Sequence, residues 1–137
     1  MIYVRQSAYE AMLAHARACG EEMACGVLSG RIEGGKRTVI RFYPITNTAH
    51  SPERYALDRT EHSRAMAAMA KDGASMIGTW FCHRASDARM TAYEIQSAHD
   101  RDGSYLVLSL QKPGAPELCS YRVWGGRADK EELSLVP

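Results

Sequence analysis

Three patterns of the form Ser/Thr/Asp-x-x-Glu, at Ser7 to Glu10, Asp58 to Glu61 and Thr91 to Glu94, punctuate this chain, and each precedes residues that suit a helix. In such a pattern the first side chain and the Glu carboxylate satisfy backbone N–H groups that the opening helical turn leaves without partners. Behind Ser7, the residues Tyr9, Met12, Leu13 and Ala16 recur at helical spacing and Gly20 stands as a stop, so a first helix is expected over about 8–19. Behind Asp58, Ala65, Met66 and Met69 mark the apolar face of a second helix, which Lys71 and Gly73 close. The third pattern predicts a short helix over about 92–99.

Between these helices lie short apolar runs with strand character. Residues 24–30 and 38–43 form a hairpin across Gly34-Gly35, with Pro44 expected to end the pairing, and Arg54 to Leu57 is a short extended segment behind a polar loop. Ser75 to Phe81 reads as a central strand leading straight into the polar loop Arg84 to Arg89. Residues 105–110 and 118–124 form an antiparallel pair around the breaker Lys112-Pro113-Gly114-Ala115-Pro116, and Leu133 to Val136 supplies a last strand after the Gly125-Gly126 turn. This order, without an internal repeat, predicts an α+β fold around a curved, mixed sheet, with residues 1–137 in a single domain.

With 45% hydrophobic and 24% charged residues, the chain can bury a core. Its 17 Lys and Arg against 16 Asp and Glu leave a net charge of +1, which gives no footprint for nucleic acid. No apolar run approaches the roughly 18 residues of a membrane span, and the N-terminus lacks the apolar stretch of a signal peptide. Cys19, Cys25, Cys82 and Cys119 contain no C-x-x-C pair and read as reduced thiols. A cytoplasmic protein without membrane or nucleic-acid partners is expected.

The strand Met23-Ala24-Cys25-Gly26-Val27-Leu28-Ser29-Gly30, the loop from Asn47 to Asp58 with its Ser51-Pro52-x-Arg54-Tyr55-x-Leu57-Asp58, and the run Phe81-Cys82-His83-Arg84 with Thr91 and Glu94 downstream together resemble the JAB/MPN/Mov34 metallopeptidases, the JAMM family, in its small bacterial form. The resemblance covers nearly the whole chain. It implies a cytidine-deaminase-like curved mixed sheet flanked by helices. Members carry a glutamate before the Ala-Cys-Gly strand and then His-x-His-Pro, six residues, Ser, two residues and Asp. Two histidines and the Asp hold zinc, the distant glutamate is the general base for the zinc-bound water, and the serine helps hold the oxyanion.

Against that pattern this chain departs at nearly every chemical position. Phe81 stands for the first zinc-binding His, and a phenyl ring has no lone pair for a metal. Met23 stands for the general base, and a thioether accepts no proton at neutral pH. Glu94 replaces the Asp ligand, Thr91 the Ser, Cys82 the residue between the histidines and Arg84 the Pro, so His83 alone survives unchanged. Strand alternation turns Cys82 away from His83. A slip bringing Glu21 or Glu22 into the base's place is the way the base could be restored. His15, His50, His62 and His99 do not complete a ligand set by spacing, and Arg84, with Arg89, Arg101 and Lys71, could edge a groove with positive charge.

Taken with these departures, the resemblance implies a JAMM-fold protein that has lost zinc and peptidase activity. The expected role is a binding or scaffold domain for the tail of a ubiquitin-like or sulfur-carrier protein, in a groove beside Cys82 and Arg84. Pairing with another JAMM/MPN domain, as homo- or heterodimer, is a related expectation. No cofactor is expected. The alternative is a zinc metallopeptidase with the altered ligands His83, Glu94 and Cys82, acting on a ubiquitin-like C-terminus.

Overall fold

The computed structural model describes residues 1–137. Strand β1 (Ile2–Arg5) runs directly into helix α1 (Gln6–Ala18), followed by β2 (Cys25–Glu33), β3 (Lys36–Ile45), α2 (Arg59–Lys71) and β4 (Ser75–His83). Helix α3 (Ala92–Ser97) and strands β5 (Ser104–Ser109), β6 (Glu117–Trp124), β7 (Arg127–Glu131) and β8 (Leu133–Val136) complete the chain. All eight strands join one mixed sheet in the order β7-β6-β5-β4-β2-β3-β1-β8. Its two edge strands, β7 and β8, are consecutive in sequence, so the sheet curls into a near-barrel whose edges meet around Glu132. No helix is long and apolar enough to cross a membrane.

Alternation along β4 and β5 sorts their side chains into two apolar layers. Trp80, Cys82, Leu106 and Leu108 pack with Met12 and Ala16 of α1 and with Phe42. Phe81, Tyr105 and Val107 face the other way, against Met23, Cys25, Ala88 and Met90. A third, smaller cluster seats α2 through Ala65 and Met69 on Val27 and Ile45. Gly26 permits the close approach of β2 and β3 beside the first layer, because any Cβ there would collide with the Phe42 ring and the Tyr43 carbonyl.

Several boundaries differ from the sequence expectation. Ser7 is already the second residue of α1, whose N-cap is Arg5 with no side-chain capping bond, so the Ser7/Glu10 pattern caps nothing. The helix begins early because buried Ile2 and Val4 deliver the chain to it straight from β1, which pairs in parallel with both β3 and β8 and went unread in the sequence. Pro44 does not end the hairpin: it lies opposite Gly26, and β3 continues to Ile45. Beyond Val39 the outer side of β3 has no partner strand, the setting in which a strand tolerates proline. Strand β7, Arg127-Ala128-Asp129-Lys130-Glu131, is an edge strand with no apolar alternation to announce it in the sequence. The expected strand at 54–57 reduces to one bridge between Asn47 and Leu57.

Candidate functional site

Strands β4 and β5 run parallel, joined by a crossover through α3, and the candidate site lies at the C-terminal end of β4, where parallel strands commonly present ligand sites. Phe81 and His83 share a face there, with ring centroids 5.7 Å apart. Tyr55 stacks on Phe81 at 4.8 Å and an interplanar angle of 21°. Cys25 pairs across the sheet with Phe81, and the Cys82 N–H donates to the Ala24 carbonyl, which brings Met23 into the apolar layer that holds Phe81.

His83 and Glu94 form a buried pair, their side chains 3% and 2% exposed. The imidazole Nε2 lies 2.7 and 3.0 Å from the two carboxylate oxygens, while Nδ1 lies 2.8 Å from the Asp87 carbonyl. A carbonyl can only accept, so Nδ1 carries a proton, and Glu94, which accepts from the Thr91 N–H through one oxygen at 2.8 Å, faces Nε2 most closely with the other. Burial opposes a charge on the ring, but the hydrogen bonds to Glu94 and to the Asp87 carbonyl, with the two carboxylates nearby, outweigh it and raise the His83 pKa. The pair is thus imidazolium on carboxylate. Glu94 is also half of a complete capping box, since its own N–H donates to Thr91 Oγ1 at 3.1 Å. The Thr91 hydroxyl oxygen therefore serves the start of α3.

A cleft of about 400 Å3 opens beside this pair, lined by Met23, Arg54, Arg84, Tyr93 and the segment around Thr91. Its upper wall is the 46–58 loop, organised by the buried side chain of Asn47. The Asn47 amide donates to the carbonyls of Met23 at 3.0 Å and Arg54 at 2.9 Å, and its oxygen accepts from the N–H groups of Ala49 and Ala56, both at 3.0 Å. The Met23 N–H also donates to Ser51 O at 2.8 Å. A larger hollow of about 510 Å3, lined by residues of β2 and the turn before β4, lies away from these groups and carries no converging chemistry.

The expected site residues divide accordingly. Met23, Phe81, His83, Thr91 and Glu94 come together. Cys82 does not line the cleft, because alternation sends its side chain, 1% exposed, into the layer beneath α1, where burial pushes its thiol up to about 11. Arg84 does line it, with its guanidinium donating to the Ala16 carbonyl near the end of α1. Arg89 faces Asp87 at 4.0 Å, Arg101 lies over Trp124 at 5.3 Å and Lys71 closes α2, so none of the three edges the cleft. The cation that the sequence reading missed is Arg54, whose guanidinium lies 4.2 Å over the Tyr93 ring. Glu21 is exposed and Glu22 pairs with His50 at 3.1 Å, so neither occupies the place of Met23. Asn47 and Tyr55 were missed too, although the family-like loop contains both.

The zinc that the resemblance implies asks for three or four N, O or S donors around one point. His83 and Glu94 supply two, and they are hydrogen-bonded to each other. No third His, Cys, Asp or Glu converges on them, and the phenyl ring of Phe81 takes the adjacent strand position. The residues present do not fit that metal.

Residues 5–123 match the family described as prokaryotic homologues of the JAB domain. The chain is 32% identical over 136 residues to the CysO-cysteine peptidases of Mycobacterium tuberculosis and Mycobacterium bovis, covering 99% of this chain and 92% of theirs. A solution structure of a Desulfitobacterium hafniense protein superposes with a TM-score of 0.92 at 38% identity, covering 99% of this chain and 93% of that one. A Salinibacter ruber protein shares the fold at a TM-score of 0.71 and 24% identity, covering 99% of this chain and 92% of that one. Sequence and architecture agree along nearly the whole length, and the chain belongs to the prokaryotic JAB-domain family.

Proposed function

We propose that this chain is a binding module that receives the extended C-terminal tail of a ubiquitin-like sulfur carrier and does not hydrolyse it. The observation that carries this reading is the pairing of His83 with Glu94 at 2.7 Å, which turns what would be two ligands into each other's counter-charge. Phe81, with no exposed surface, and Met23, 3% exposed, support it by filling with apolar atoms the places of the other ligand and the base. Without a base or a polarising cation, the terms that act on a transition state are missing, whereas contacts to an extended chain belong to the ground state and survive. The carrier class is supported by the kinship with CysO-cysteine peptidases.

That same kinship favours a second reading, a peptidase with an altered ligand set. Titrating a sulfur carrier against the protein with and without a chelator, alongside a cleavage assay on a carrier fusion, separates the two. The binding-module reading predicts association unaffected by chelator and no cleaved product. Chelator-sensitive cleavage would establish the peptidase.

A further inference from the structure

We propose that Arg54, stacked on Tyr93, is the specificity-determining residue of the cleft and that it takes the free α-carboxylate of the bound chain end. The inference rests on the tail-binding reading and goes one step further, to what the cleft recognises. Arg54 and Arg84 both line the cleft, and neither has a carboxylate within ion-pair distance. Glu94 brings no free negative charge to it, because His83 neutralises that carboxylate. Glu53 is the one other carboxylate on the rim, so two cations face it and the cleft favours an anion.

The two arginines are not equivalent. Arg84 is committed to the Ala16 carbonyl, and its Nε is buried without a partner, so it is anchored in the wall. Arg54 is exposed and holds its guanidinium carbon 4.2 Å over the Tyr93 ring, and no acceptor within the chain takes its N–H groups. Those groups form a planar fork that matches a carboxylate with two parallel hydrogen bonds. Both halves of the stack are fixed from behind. The Arg54 carbonyl accepts from Asn47, and Tyr93 sits in the first turn of α3, whose start the Thr91/Glu94 box holds. A preorganised guanidinium loses little rotamer freedom when it binds.

The test uses the C-terminal peptide of the sulfur carrier from the same genome, prepared with a free carboxylate and as its amide, and titrated against the full chain. The wild type is expected to prefer the acid by about tenfold, as a charge-assisted bidentate contact provides. Arg54→Gln should abolish the preference for the acid over the amide, and Arg54→Lys should restore part of it. Equal binding of acid and amide by the wild type, or a preference that survives Arg54→Gln, overturns the assignment of Arg54 while leaving tail binding intact. If neither peptide nor the intact carrier binds, the tail-binding reading itself falls.

Discussion

Two ion pairs largely withdrawn from solvent sit at different places in this sheet and behave differently. Arg37 and Glu131, 11% and 10% exposed, lie 3.5 Å apart at the seam where the sheet curls round. Arg37 also donates to Ser104 Oγ at 2.8 Å and to the Ile77 carbonyl at 3.0 Å, and Glu131 accepts from the hydroxyls of Ser104 and Ser120. The seam pair thus ties together side chains of β3, β5, β6 and β7 and the backbone of β4. His83 and Glu94 hold only the end of β4, the loop at Asp87 and the start of α3. One pair is woven across the sheet; the other is local, contains an imidazole and borders an open cleft. A charge arrangement tied into several strands holds the sheet together, whereas the same chemistry at the mouth of a parallel pair shapes only the local wall of a cleft.

Removing one partner from each pair is the strongest way to break this contrast. Glu131→Ala leaves a part-buried guanidinium that cannot deprotonate, together with two hydroxyls that lose their acceptor, and should cost about 3 kcal/mol in chemical denaturation. Glu94→Ala should cost less, about 2 kcal/mol, because it removes a helix cap and a hydrogen bond but lets His83 relax to its neutral form. Equal losses in the two variants would erase the distinction.

The next effect is in pH. A folded-state pKa raised above the unfolded value of about 6.5 means that the folded protein holds the His83 proton more tightly. The stability this contributes is complete below about pH 6.5 and is lost as pH rises through the folded-state value. The stability difference between wild type and His83→Gln should therefore be larger at pH 6 than at pH 9. A difference constant with pH would contradict the imidazolium assignment. The smallest effect is at the cleft rim: Arg54→Gln should change stability by less than about 1 kcal/mol, since an exposed cation on an aromatic ring contributes no more than that.

Much of the site was legible because its signals are local. Thr91 and Glu94 carry their own spacing, and the complete capping box follows from it. The orientation of Cys82 away from His83 follows from strand alternation alone. The Asp58 signal holds in part: its side chain accepts from the Glu61 N–H, but the Glu61 carboxylate goes to the Thr46 N–H across the loop. What failed depended on tertiary neighbours. Ser7 has the right spacing, yet β1 feeds α1 without a gap and tertiary packing sets the boundary. Arg54 lies far in sequence from His83, and only the loop clamped by Asn47 brings it over Tyr93. Arg89 and Arg101 are near in sequence to the site and point elsewhere. Strand β7, with nothing apolar to announce it, forms because β6 offers its backbone.

The most direct test of the account is the zinc content of protein purified without chelator, measured per chain beside the Phe81→His, Met23→Glu double variant. The wild type should hold far less than one equivalent, because His83 and Glu94 are each other's partners, and the double variant should bind zinc more tightly by supplying a second imidazole and a second carboxylate. One tightly held equivalent in the wild type, or no gain in the double variant, would contradict the claim that the His83–Glu94 pair stands in place of a metal centre.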